Sequence, residues 1–166
     1  MYRMRIWSVR HARWLKAVYT GIESVLQMLH PLIKLIGYER LDKPFVAVEE
    51  VAKGFLLDSQ SCGQCIVGFT GMSCPMNCPK QMRNGPCGGV RSGGKCEVNP
   101  EMNCVWVMAW EGNKRFRGDE YPIQVVQPPV DFRLQGTSAW LRELRRRNGH
   151  SRSGHTGPEV VASNEV

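Results

Sequence analysis

"SCGQCIVGFTGMSCPMNCPK", residues 61–80, places four cysteines within twenty positions. Cys87, Cys96 and Cys104 follow, and the 166-residue chain has no others. The pattern is C-x2-C-x8-C-x3-C-x8-C-x8-C-x7-C, seven thiols within 43 residues. Thiols clustered in this way serve as disulfide staples, as ligands of structural zinc, or as ligands of an iron–sulfur cluster. The first residues carry charges but no apolar core long enough for a secretory signal. A reducing, cytoplasmic setting is therefore expected, where disulfides are disfavoured and clustered cysteines read as metal ligands.

The spacing suggests how those ligands divide. Cys62 and Cys65 form a C-x-x-C pair whose sulfurs converge across a tight turn, and Cys74 and Cys78 form a second pair one residue wider. Together they read as one four-thiolate site, suited to tetrahedral zinc or to a four-iron cluster. Proline after Cys74 and Cys78, and glycine in "SCGQC" and "PCGG", lean towards a cluster, although zinc knuckles use glycine too. Cys87, Cys96 and Cys104 then fall one ligand short. A carboxylate such as Glu97, a water or a group from another protein would complete them, unless one cysteine is simply buried. All four histidines (His11, His30, His150, His155) lie outside the segment, which disfavours a cysteine nucleophile with a nearby base. "CGQC" lacks the βαβ pattern that a thioredoxin-like role needs.

Around this segment the composition divides the chain into four regions: helical residues 1–58, a cysteine-rich module at 59–110, an extended docking arm at 111–146, and a disordered tail at 147–166. In "WLKAVYTGIESVLQMLHPLIKLIGYER", Leu15, Val18, Ile22, Val25, Leu29, Leu32 and Ile36 recur three or four apart, which predicts one buried helix face. Pro31 should kink or interrupt that helix and Gly37 should stop it. A second helix is expected from Asp42 as cap, with Pro44 in the first turn and Phe45, Val48, Ala52 and Phe55 inward. The start of the chain, with Arg3, Arg5, Arg10, Arg13 and Lys16 and no acid before Glu23, resembles a transit peptide or membrane-surface helix; the plainer reading is the basic face of a docking helix.

Residues 59–104 hold eight of the seventeen glycines and four of the ten prolines, with few apolar side chains. Such a stretch needs cross-links to fold. "VWVMAWEG" then reads as a strand or a helix end. Pro128 and Pro129 enforce an extended path, and residues 138–144 allow a last helical turn or two around Trp140, an aromatic anchor for a partner. The fold class expected is α plus irregular and metal-stabilised, with N-terminal amphipathic helices, a cysteine-rich knot and an extended C-terminal arm.

The chain is too short for a (β/α)8 barrel of about 250 residues and shows no glycine-rich dinucleotide fingerprint. No stretch reaches the ~18 apolar residues of a membrane span. The net charge of +7 is partly local, since five arginines crowd residues 142–152. No aromatic-studded basic motif accompanies them, so nucleic acid is not the expected partner.

The run "SCGQCIVGFTGMSCPMNCPKQMRNGPCGGVRSGGKCEVNPEMNCVW" closely resembles the cysteine-rich module called the methylenetetrahydrofolate reductase C-terminal-like domain. "CPMNCPK", "RNGPCGG" and "CEV" occur in that family's order, and "HPLIKLIGYERLDKPF" and "VQPPVDFRLQGTSAWLR" extend the likeness to roughly residues 10–145. In acetogenic bacteria the module is the small subunit of methylenetetrahydrofolate reductase; elsewhere it is fused to, or encoded beside, the reductase barrel. The resemblance implies an accessory subunit in one-carbon metabolism that docks on a flavin-containing barrel and passes electrons to it, with no catalysis alone. It implies an iron–sulfur cofactor, 4Fe-4S, with zinc as alternative or addition, and Cys62, Cys65, Cys74, Cys78, Cys87, Cys96 and Cys104 as ligands. The alternative reading is a zinc-stabilised interaction module for a methyltransferase or reductase complex. Pro128, Pro129 and Trp140 are the expected docking residues.

Overall fold

The computed structural model describes residues 2–116 and 122–149. Six helices organise them: α1 (Tyr2–Arg10), α2 (Ala12–Met28), α3 (His30–Ile36), α4 (Tyr38–Leu57), α5 (Val105–Asn113) and α6 (Ala139–Arg147). Among the described residues there is no strand, only the isolated antiparallel bridges Arg91–Lys95 and Lys95–Asn103. The architecture is thus mostly helical, with an irregular, cysteine-bearing segment between α4 and α5.

Helices α2 and α3 run almost as one rod, because Leu29 N–H still reaches Val25 O at 2.9 Å and Ile33 N–H reaches Leu29 O at 3.0 Å. The break falls at Leu29, just ahead of Pro31, whose ring nitrogen cannot continue the ladder. Gly37, at φ 98°, ends α3 in a conformation that side chains resist. Helix α4 begins immediately afterwards at Tyr38, earlier than expected. Pro44 therefore lies inside the helix rather than in its first turn, and Asp42 does not cap it. Its carboxylate instead accepts from Ser138 N–H at 3.2 Å, tying α4 to the start of α6.

The buried faces also differ from the expected ones. Along α2 and α3 the core takes Leu15, Leu26 and Ile33, with Tyr19 and Ile22 packed against them. Val18, Val25, Leu29, Leu32 and Ile36 remain exposed, because the apolar residues cover more than one face and only one meets the protein interior. Helix α4 turns Glu49, Lys53 and Leu57 inward and leaves Val48 and Phe55 outside. The start of the chain forms α1, which lies against the chain's own cysteine-bearing segment. Ser8 Oγ donates to Met72 O at 3.3 Å, Arg5 pairs with Asp58 at 2.5 Å, and Tyr2 Oη accepts from Asn103 N–H at 2.9 Å.

"VWVMAWEG" proves to be part of helix α5, buried at Val105, Trp106, Met108, Ala109 and Gly112 and exposed at Trp110 and Glu111. Gly112 on this helix meets the backbone of Gly71 so closely that a Cβ on either residue would strike the other chain segment. The region expected as an extended arm begins in α5 and ends in α6, where Ser138 Oγ accepts from Leu141 N–H at 3.2 Å as N-cap. Between them, described residues 114–116 and 122–138 hold only the 3-10 turns Pro122–Gln124 and Phe132–Leu134. The expected tail lies outside the described residues beyond Gly149, while Arg147 belongs to α6.

Candidate metal centre

The seven cysteines are all free thiols and fall into two groups that differ from the expected pairing. Cys78, Cys87, Cys96 and Cys104 line one hollow, together with Lys80, Glu97, Val105 and Trp106. Cys62, Cys65 and Cys74 form the second group. Cys62 and Cys65 line another hollow with Glu49, Lys53, Ser59 and Ser61, and the charges of both sulfurs reach Cys74. Cys78 therefore joins the three later cysteines rather than the earlier pair. The cause is local: the 3-10 turn Pro75–Asn77 intervenes after Cys74 and redirects the chain.

The first hollow is built from short-range structure. Arg91 N–H donates to Lys95 O at 2.9 Å, Cys96 N–H to Met102 O at 2.9 Å, and Cys104 N–H to Gly94 O at 2.7 Å. These bonds fold residues 91–104 into a compact loop that brings Cys96 and Cys104 into burial together. Cys104 is also the N-cap of α5, so the positive end of that helix dipole adjoins the hollow. Trp106 closes one side, its Nε1–H donating to Met82 O at 2.9 Å. Glu97 sits at the mouth, 3.8 Å from Cys87 Sγ and ion-paired with Lys80. The carboxylate named as a possible completion of a three-cysteine set thus stands beside the hollow that four cysteines line.

The second hollow is clasped from outside. Gly63, within the C-x-x-C turn, adopts φ 69° and leaves no space for a Cβ against Leu134 O and Thr137 Oγ1. Gln64 Nε2 donates to Asp131 O at 3.0 Å, and Gly136 N–H to Ser61 O at 3.1 Å. The segment after residue 122 therefore packs along the cysteine turn. Arg83 strengthens this clasp: buried, it donates from Nε to Pro128 O at 2.7 Å and from Nη2 to Gln64 O at 3.0 Å. Pro128 and Pro129, expected as docking residues, are exposed at this junction. Trp140 is not exposed. It lies in the core with Leu26, Ile33, Leu141 and Leu144, because α6 folds back onto α2, α3 and α4.

Burial pushes the Cys74 thiol up to about 11, assisted by the neighbouring charges of Cys65 and Cys62, while the Gln60 and Met76 amides donate to its sulfur and oppose the rise. A metal taking this sulfur as ligand must displace its proton, so binding here releases protons. Next to the group, Lys53 Nζ donates to Glu49 Oε2 at 2.6 Å, and Glu49 Oε1 accepts from Ser138 Oγ and from Trp140 N–H at 3.0 Å. Both charged residues are buried. From sequence, Glu49 and Lys53 look like an ordinary i,i+4 surface pair, and nothing local marks them as buried.

No three Cys, His, Asp or Glu side chains among the described residues converge closely enough to hold one metal ion. The family model described as methylene-tetrahydrofolate reductase C terminal matches residues 38–133, more than half of the chain. The chain belongs to this family. The matched segment contains α4, all seven cysteines and α5, and leaves α1, α2, α3 and α6 as flanking structure. No curated protein and no solved structure matches the chain. No helix among the described residues is long and apolar enough to cross a membrane.

Proposed function

We propose that this chain is an iron–sulfur accessory subunit of a flavin-containing reductase barrel in one-carbon metabolism. The observation that carries the reading is the gathering of Cys78, Cys87, Cys96 and Cys104 around one hollow in a chain of the methylenetetrahydrofolate reductase C-terminal family. A four-thiolate donor set suits either zinc or a four-iron cluster. The prolines after Cys74 and Cys78 and the glycines beside the cysteines lean towards a cluster, the cofactor the family resemblance implies.

When bound, such a cluster carries single electrons. The chain's own residues do the rest. Cys78, Cys87, Cys96 and Cys104 would hold one centre, with Trp106 and the start of α5 limiting its contact with water. Cys62, Cys65 and Cys74 would supply ligands to a second, with the Gln60 and Met76 amides donating to Cys74. The exposed residues Trp14, Val18, Val25, Met28, Leu32 and Leu35 follow one another at intervals of three, four or seven along α2 and α3, and support these helices as the face that meets the barrel. Trp14 is 60% and Leu35 84% exposed, values more typical of an interface than of a solvated face.

The test is metal and acid-labile sulfide analysis of anaerobically purified protein, with a visible spectrum of the same sample. Iron and sulfide in equal amounts, together with co-purification of a flavin-bearing partner, is the expected result. Zinc without sulfide would replace this reading with the zinc-stabilised interaction module.

A further inference from the structure

The arginines at the start of the chain have no part in the accessory-subunit reading, and the fold gives them a common direction. Arg5, Ser8 and Val9 hold the inner face of α1 against the rest of the chain, which fixes its outer face as well. The helical ladder continues into α2 across His11, whose N–H donates to Trp7 O at 3.0 Å while its own carbonyl accepts from Leu15 N–H at 3.0 Å. Arg3, Trp7, Arg10 and Trp14 recur four, three and four residues apart, so they share one outward stripe, and all four are exposed. Trp14 marks the border with the apolar face that continues along α2 and α3. Arg13 is exposed beside it. A further exposed arginine arrives from elsewhere in the chain: Arg115, just past α5, donates from Nε to Val9 O at 3.3 Å.

These charges are uncompensated. Among the described residues no carboxylate pairs with Arg3, Arg10, Arg13 or Arg115. The first acid of the chain, Glu23, is partly buried and paired with Arg147. A guanidinium keeps its charge at any working pH, so the stripe is a fixed positive surface studded with tryptophan.

We propose that the outer face of α1 and the start of α2 is a seat for an anionic membrane surface. Lipid phosphates meet Arg3, Arg10, Arg13 and Arg115, and Trp7 enters the headgroup layer with Trp14 at the border. Charge complementarity names the occupant, and arginine beside tryptophan on an acid-free helix face is the combination that lies in a membrane interface. No helix among the described residues is long and apolar enough to cross a membrane, so the attachment is peripheral. A nucleic acid would share the charge, but base stacking needs free ring faces, and Trp7 already has one ring face against His11 at 4.5 Å between centroids. The inference goes beyond the accessory-subunit reading and leaves the apolar face from Val18 to Leu35 to the barrel.

The experiment is flotation of the full chain with vesicles of phosphatidylcholine alone, or of phosphatidylcholine and phosphatidylglycerol in equal parts. Three proteins are compared: wild type, Arg3→Gln/Arg10→Gln/Arg13→Gln, and Lys34→Gln/Arg40→Gln/Lys43→Gln, which removes the same charge from exposed positions elsewhere. Circular dichroism checks the fold of each. Wild type should bind only the anionic vesicles, and less so as salt is raised. Each basic residue near such a surface is worth about fivefold, so the first triple variant should lose roughly a hundredfold in partitioning while the second stays within a few-fold of wild type. Absent or equal binding to the two vesicle types, or matching losses in both triple variants, would overturn the proposal. Binding to a single-stranded oligonucleotide but not to vesicles would overturn it in favour of nucleic acid. The readout needs neither metal nor barrel, so its failure would leave the iron–sulfur reading standing.

Discussion

Lys53 places its ammonium 4.2 Å from the centre of the Trp140 ring while donating to Glu49 at 2.6 Å. One cation thus joins α4 to α6 through a cation–π contact and a buried ion pair, and Glu49 receives Ser138 Oγ and Trp140 N–H on its other oxygen. Removing one partner of a buried pair leaves an uncompensated charge and typically costs about 3–5 kcal/mol. Lys53→Met should destabilise the chain by that order in chemical denaturation. The double variant Glu49→Gln/Lys53→Met should lose clearly less than the sum of the singles, and additive losses would contradict the coupling.

The regrouping of the cysteines is open to direct measurement. Cys78→Ser should lower metal content by the same increment as Cys87→Ser, and combining the two should lower it no further. Cys62→Ser/Cys65→Ser should remove a different increment, additive with the first. Metal analysis of Cys78→Ser that matches the Cys62/Cys65 variant would restore the grouping expected from spacing.

Arg83 is the buried link between the cysteine turn and the segment after residue 122, and Asn84 and Gln127 reinforce it with a reciprocal pair of hydrogen bonds at 2.7 and 2.8 Å. Arg83→Met should loosen residues 122–138. Hydrogen exchange there should rise well above wild type, while α2 and α5 keep their protection. Unchanged exchange would show that Gln64 and Gly136 hold the segment unaided.

Gly112 and Gly71 touch backbone to backbone, which neither a rotamer change nor a flexible neighbour can relieve. Gly112→Ala, ordinarily favourable in a helix, should here destabilise by about 1–3 kcal/mol, the usual range for overpacking. A variant of wild-type or higher stability would mean that α5 can shift away from the Gly71 turn.

Glu143 on α6 titrates below the usual carboxylate range: burial opposes this, but hydrogen bonds and charges from Arg146 and Arg147 outweigh it. A depressed folded-state value means that its stabilisation is present above the unfolded value near 4.5 and is lost as pH falls through the folded one. Glu143→Gln should therefore cost about 0.5–1 kcal/mol at neutral pH, as partly exposed pairs do, and little at pH 3. Urea melts at both values check the sign.

Much of the architecture was visible in the residues. The helices before residue 58, the irregular thiol-rich segment and a short helix after residue 138 all followed from periodicity and glycine content. What could not be read was which of two apolar faces on α2 would find an interior. Leu15 and Leu26 are buried while Val18 and Val25 are not, and nothing local distinguishes them, because α4, α5 and α6 arrive from elsewhere in the chain. The same applies at Cys78. Its spacing to Cys74 suggested a shared ligand pair, but after the intervening turn Cys78 lines the hollow of the later cysteines while Cys74 is buried in the core beside Cys65. Arg145, Arg146 and Arg147 belong to the basic run at residues 142–152; in the fold they lie over Tyr38 or pair with Glu143 and Glu23.

The two thiol groups follow one another along the chain without crossing. In two-cluster ferredoxins the fourth cysteine of each run serves the other cluster, so neither site is complete until both runs are present. Here Cys62, Cys65 and Cys74 precede Cys78, Cys87, Cys96 and Cys104, and each set closes its own loop. Contacts made over short sequence distances incur little closure entropy and form early. During synthesis the first set has emerged before the second begins, while its surroundings are completed only by the segment after residue 122. A stalled or truncated chain ending between Cys74 and Cys78 would still carry a whole first set of thiols.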